Sequence, residues 1–271
     1  MARQSSAHRR ISRTSALHYL KLVYRSALFL TAAVLYLVNC SRNTDALFDD
    51  FERQPVFLTL VWLIFVTEMI FRFFPSKIES MGCQKQFACN YQATSASEPV
   101  LQSSGATWSV AAAWILLNAA IAALYFMHII DQGILLLISL AYSVCDMICI
   151  LFFCPFQAWF MKNKCCTSCR IYNWDYAMMF TPLMFVRKFY AQSLFVIALI
   201  LLVKWEIMVK AHPERFSEAT NRSLSCAVCT EKLCHHKRQL RRFLSANAHF
   251  LHLKGNQLLD LTRHRKNPNK E

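Results

Sequence analysis

Two knots of cysteine carry the chemistry most readily read from this chain: Cys165-Cys166-Thr167-Ser168-Cys169, and Cys226-Ala227-Val228-Cys229 followed by Cys234-His235-His236. Thiolates and imidazoles a few residues apart are the usual tetrahedral ligands of zinc, and a CxxC pair is also the usual unit of thiol–disulfide exchange. The second knot reads C-x2-C-x4-C-H-H, so Cys226, Cys229, Cys234 and either His235 or His236 make a complete Cys3His set. The first knot offers Cys166 and Cys169, with Cys165 as a third thiol, and has no obvious fourth ligand of its own. Cys166, Cys169, Cys226 and Cys229 together give a C-x2-C…C-x2-C arrangement, a stronger zinc signature that requires both segments on one side of whatever separates them. Zinc is the expected metal because it needs no redox partner and would tie the tail to the rest of the protein. An iron–sulfur cluster uses similar thiols but in longer characteristic runs. The bland alternative is a set of free thiols in a reducing compartment.

What separates the two knots is a chain suited to lipid. Of 271 residues, 55% are hydrophobic and only 17% charged, with 21 Phe and a mean hydropathy of +0.27. Apolar runs at 22–39, 56–74, 108–130 and 133–154 approach or exceed the roughly 20 residues that cross a bilayer as a helix. A fifth, 190–209, carries Lys204 and Glu206 near its end. The expected fold is all-α: a polytopic membrane bundle of four to five transmembrane helices. Its helical domain spans 1–210, followed by a basic Cys/His-rich tail at 211–271. The first run lacks a small-x-small cleavage pattern at Asn39-Cys40-Ser41 and is read as a retained helix.

The net charge of +14 is concentrated at 2–21 and 232–270. In a multi-pass membrane chain such clusters set orientation and meet anionic lipid headgroups, so the expected partner is the bilayer and not nucleic acid. Arg3, Arg9, Arg10, Arg13 and Lys21 place the N-terminus in the cytoplasm, with the loop carrying Asp45, Asp49, Asp50 and Glu52 outside and Asp131-Gln132 a tight external turn. The fifth run decides the rest. If it crosses once, the tail and the loop knot lie on opposite faces. If Pro182 and Arg187-Lys188 divide 174–209 into a half-helix and a returning helix, they share a face. The second reading is preferred because it keeps the tail's basic residues inside.

In the tail, Thr230 can cap an amphipathic helix that places Leu233, Leu240, Leu244 and Leu251 on one side and Lys237, Arg238, Arg241 and Arg242 on the other. Residues 93–107 read as a flexible connector of small polar residues. The Asn39 and Asn221 sequons match the glycosylation pattern, which short runs also match by chance.

Acids at membrane depth are costly, so Glu68 and Asp146 are functional candidates. Asp146 can pair with Arg25 or His128; Glu68 precedes Arg72 by one turn, which supplies a local ion pair as the bland explanation. Cys145, Cys149 and Cys154 lie on or just past the fourth run and read first as small packing residues. The loop 170–176 is rich in Trp and Tyr, suited to interfacial anchoring, or to orienting cluster ligands through Arg170 and Asp175.

Three stretches carry a resemblance: Phe73-Phe74-Pro75-Ser76 through Glu79-Ser80-Met81-Gly82-Cys83-Gln84-Lys85-Gln86-Phe87, Lys162-Asn163-Lys164-Cys165-Cys166 through Phe180-Thr181-Pro182, and His212-Pro213-Glu214-Arg215-Phe216 through His235-His236-Lys237. On them the chain resembles a group of small, functionally uncharacterised bacterial multi-pass membrane proteins over most of its length. The resemblance implies a bacterial cytoplasmic membrane and carries over no catalytic residue. Three functions follow from the residues. The first is a non-enzymatic membrane protein whose Cys/His site, with zinc, organises the cytoplasmic loop and tail. The second is a membrane thiol–disulfide redox protein, and the third an ion or metal transporter that uses Asp146.

Overall fold

A computed structural model describes residues 13–41, 55–76, 81–95, 98–101, 103–161 and 169–225, which fall within one compact unit. Among them the regular elements are helices: α1 (Arg13–Ser41), α2 (Pro55–Phe73), the one-turn α3 (Met81–Gln84), α4 (Ser104–Phe126), α5 (Gln132–Leu151), the short α6 (Asp175–Phe180) and α7 (Phe189–Ala211). α1, α2, α4 and α5 are each long and apolar enough to cross a membrane, so the protein is an all-α polytopic bundle. Their outward faces carry exposed Leu20, Leu30, Val34, Leu60, Ile115 and Leu116. Such a surface suits lipid, where helices alone satisfy every backbone group within the segment.

Local chemistry sets the helix ends. Pro55 opens α2, where its missing N–H would have had no partner. α4 stops at Phe126, short of the apolar run's end at 130, because His128 adopts a left-handed φ of 56°. The Asp131 carboxylate then accepts from the Ile134 amide at 2.8 Å and caps α5. α1 begins nine residues before the apolar run at 22–39, and Lys21 at the end of that added stretch finds a buried acidic partner in Glu68.

The course of 174–211 settles which segments share an end. Asp175 lies against Arg72 at the last turn of α2, Ser139 donates to the Met179 carbonyl at 2.9 Å, and Arg187 reaches the cavity lined by Tyr36, His128 and Asp131. α6 and the 3-10 turn Thr181–Phe185 therefore run antiparallel to α5 from one end of the bundle to the other. α7 returns parallel to α2: Tyr190 bonds Thr59, the Trp62 indole donates to Ser193 at 2.8 Å, and the Lys204 amine donates to the Phe73 carbonyl. Of the two courses open to the fifth run, the half-helix followed by a returning helix is the one the chain takes. Lys204 and Glu206, the residues that made this run doubtful, are held by Phe73 and by Arg170.

Residues after α7 dock onto the segment between α2 and α4. Ala93 bridges Asn221, Thr94 N–H donates to the Thr220 carbonyl at 3.1 Å, and Arg222 N–H donates to the Gln92 carbonyl at 2.8 Å. Asn221 is fully buried and its amide donates to the carbonyls of Lys85 and Arg215. This corrects the reading of 93–107 as a flexible connector and agrees with a chance match at the Asn221 sequon. The start of the 93–107 connector is paired and its end, from Ser104, is helix α4; the Asn221 amide organises the docked segment and is inaccessible to a glycosyl donor.

Candidate functional site

The helices meet on a buried ionic network. The Arg25 guanidinium, fully buried on α1, reaches Glu68 Oε2 of α2 at 2.7 Å and Asp146 Oδ2 of α5 at 3.0 Å, and also donates to the Ser143 carbonyl. Glu68 further accepts from the Tyr24 hydroxyl at 2.6 Å and the Tyr176 hydroxyl at 2.9 Å, with the Lys21 amine 3.4 Å away. Arg72 forms a two-pronged pair with Asp175 at 2.7 and 2.6 Å. Both guanidiniums lie against the Tyr176 ring, 6.0 Å from Arg25 and 4.8 Å from Arg72. Lys21, Arg25 and Arg72 thus face Glu68, Asp146 and Asp175, so formal charge balances where desolvation would otherwise be most costly.

Of the partners expected for Asp146, Arg25 is found; His128 sits at the opposite end of the bundle. The local Glu68–Arg72 pair gives way to pairs between elements, because each side chain meets a better-placed partner across the helix interface. Arg170 and Asp175 are likewise engaged by Glu206 and Arg72. The Trp174 indole also donates to Glu206, at 2.8 Å, which holds the aromatic loop to α7.

Beside this network is a cavity of about 130 Å3. Its wall carries Cys145, Cys149, Cys154 and Cys169 together with the two acids Asp146 and Asp175. Rings of Trp114, Tyr142, Phe156 and Tyr172 supply much of the remaining surface, which is predominantly apolar. α5 delivers two of the thiols to one place through the way it ends. The Phe152 and Phe153 amides both donate to the Ile148 carbonyl, so the last turn widens from an i, i+4 to an i, i+5 bond. That turn sets Cys154 on the same cavity wall as Cys149. The Gln157 amide donates to Cys154 Sγ at 3.4 Å, fixing the second thiol.

Of the metal-ligand candidates, Cys169 is buried on the cavity wall. Cys166, Cys226, Cys229, Cys234, His235 and His236, and the amphipathic tail helix, lie outside the described residues. Among the described residues no group of three or more His, Cys, Asp or Glu side chains is gathered to hold a metal ion. In sequence terms Cys149 and Cys154 read as packing residues. Their five-residue spacing matches no exchange motif, and only Phe-Phe-Cys-Pro at the helix end hinted that the chain turns back there.

The class defined by fold and site is thus a multi-pass helical bundle with a thiol-lined cavity set against a charged core. No family model, curated protein or solved structure matches the chain.

Proposed function

We propose that this is a membrane thiol–disulfide redox protein whose working pair is Cys149 and Cys154. The observation that carries this reading is the placement of both thiols on the wall of one cavity that also holds Asp146 and Asp175. Disulfide formation removes a proton from each thiol, and carboxylates on the same wall are suitable acceptors. The charged core ties α1, α2, α5 and α6 together beside the pair. The pair is expected to form a disulfide on treatment of the purified, detergent-solubilised protein with diamide and to reopen with dithiothreitol. Peptide mass analysis after alkylation reads this directly. A Cys149–Cys154 peptide that stays fully alkylated after oxidation would refute the assignment.

A second reading has its own observation. Cys169 and Ser225, the residues flanking the two undescribed cysteine segments, belong to the same end of the bundle, since Arg170 pairs with α7 near its C-terminus and Ser223 bonds Asn90. A shared zinc site of Cys166, Cys169, Cys226 and Cys229 is the reading this common end supports. Stoichiometric zinc in purified protein, lost on changing Cys226 and Cys229 to Ser, is the expected result; metal-free protein would end that reading. Basic residues at this end, including Lys85, Arg170, Lys210, Arg215 and Arg222, favour its assignment to the cytoplasm of a bacterial inner membrane. The third reading, transport through Asp146, has no observation of its own beside the Arg25 pair.

A further inference from the structure

A dithiol that works inside a membrane bundle needs an oxidant able to reach it there. The cavity beside Cys149 and Cys154 has about 130 Å3 of free space. An apolar protein cavity of about that size accommodates a six-membered carbon ring. Its lining excludes the charged tripeptide disulfides that oxidise thiols in water, since their carboxylates and amines would be stripped of hydration without partners. The rings of Trp114, Tyr142 and Tyr172 stand on its wall, and aromatic rings pair favourably with a planar π-system. Asp146 and Asp175, fixed by Arg25 and Arg72, supply the few polar groups that orient a ligand in an otherwise apolar pocket.

On the basis of the redox reading above, we infer that this cavity binds the head group of a lipid-soluble quinone, which oxidises the Cys149–Cys154 dithiol to a disulfide. The reaction balances as a two-electron, two-proton exchange. Two S–H bonds break and one S–S bond forms; the quinone takes up both electrons, and each of its carbonyl oxygens gains one of the two protons as the ring becomes a hydroquinone. Asp146 and Asp175 stand on the wall where those protons pass from sulfur to oxygen. Cys169, buried on the same wall, is placed to receive the disulfide by exchange with either partner.

The test uses the whole chain, reduced, freed of dithiothreitol and held anaerobically in lipid nanodiscs. The probe is a decyl-substituted benzoquinone with every ring position filled, so that no carbon can add a thiol. The expected result is one equivalent of hydroquinone per protein, seen in the ultraviolet spectrum, with a matching Cys149–Cys154 disulfide by peptide mass. Cys149→Ser and Cys154→Ser abolish both signals, whereas Cys89→Ser, at an exposed position away from the cavity, leaves them intact. Trp114→Ala raises the half-saturating quinone concentration by about tenfold, the loss expected of one buried aromatic face. Diamide is the parallel arm, run on the unsubstituted protein, so that the outcome does not depend on any variant folding. If diamide closes the disulfide and the quinone does not, the quinone inference falls and the redox reading stands. If neither closes it, the redox reading falls and the inference with it. Hydroquinone produced equally by the two serine variants would also overturn the inference.

Discussion

Arg25 shows why a cation can be buried at membrane depth. A guanidinium has enough fixed donors to satisfy two carboxylates and a backbone carbonyl at once, which a lysine ammonium cannot reproduce in the same geometry. Replacing it with methionine strands Glu68 and Asp146 without their principal cation. The expected loss is about 3–5 kcal/mol, the cost of breaking a buried pair from one side. Arg25→Lys should fall between the two. Denaturation of the detergent-solubilised protein measures this, and adding Glu68→Gln and Asp146→Asn to Arg25→Met should recover part of the loss, because the uncompensated charges are then gone. A triple variant no more stable than the single one would contradict the account. Glu68 and Asp146 were legible from the sequence as functional candidates, since acids in apolar runs stand out. Arg25 was one of two partners the sequence offered for Asp146, but that the same guanidinium also meets Glu68 was not legible. Arg25 lies 43 residues from Glu68 and 121 from Asp146, and only folding brings these separations to hydrogen-bond distance.

Elements pack closely where side chains are small. α1 lies along α5, and at Gly133 a methyl group would stand 2.9 Å from the ring of Tyr36. Interfaces between membrane helices favour such residues because they let backbones approach. Gly133→Ala should therefore push the outer turns of α1 and α5 apart and cost about 1–3 kcal/mol, as overpacking does. Thermal unfolding reads this, and adding Tyr36→Leu should relieve the strain; an unchanged midpoint for Gly133→Ala would show that Tyr36 moves freely. The same helix pair illustrates what periodicity reveals and what it misses. The apolar runs mark the cores of α1, α2, α4 and α5 because lipid demands continuous hydrophobicity. They overrun α4 by several residues, since hydropathy does not register the left-handed turn at His128. The widened last turn of α5, which sets Cys154 on the same cavity wall as Cys149, has no signature beyond the proline that follows it.

At the scale of the whole molecule, the decisive feature is the return of the chain through α6 and α7. It sets the α1 start, the segment between α2 and α4, the Cys169 loop and residues 212–225 at one end of the bundle, with Asp131 and Arg187 at the other. Epitope insertions after Pro99 and after Ser225 should accordingly be accessible from the same side of the membrane, and one after Asp131 from the opposite side. Protease or antibody access in right-side-out and inverted vesicles measures this. Insertions at Pro99 and Ser225 reporting opposite sides would overturn the course assigned to 174–211. The sequence by itself determined the all-α class, the four apolar spans, the charged residues that had to find partners and the cysteines available for chemistry, because burial in lipid constrains composition residue by residue. Only the tertiary structure decided how the fifth run turns and which acid meets which cation, because those are contacts between segments far apart in the chain, and local patterns carry no record of them.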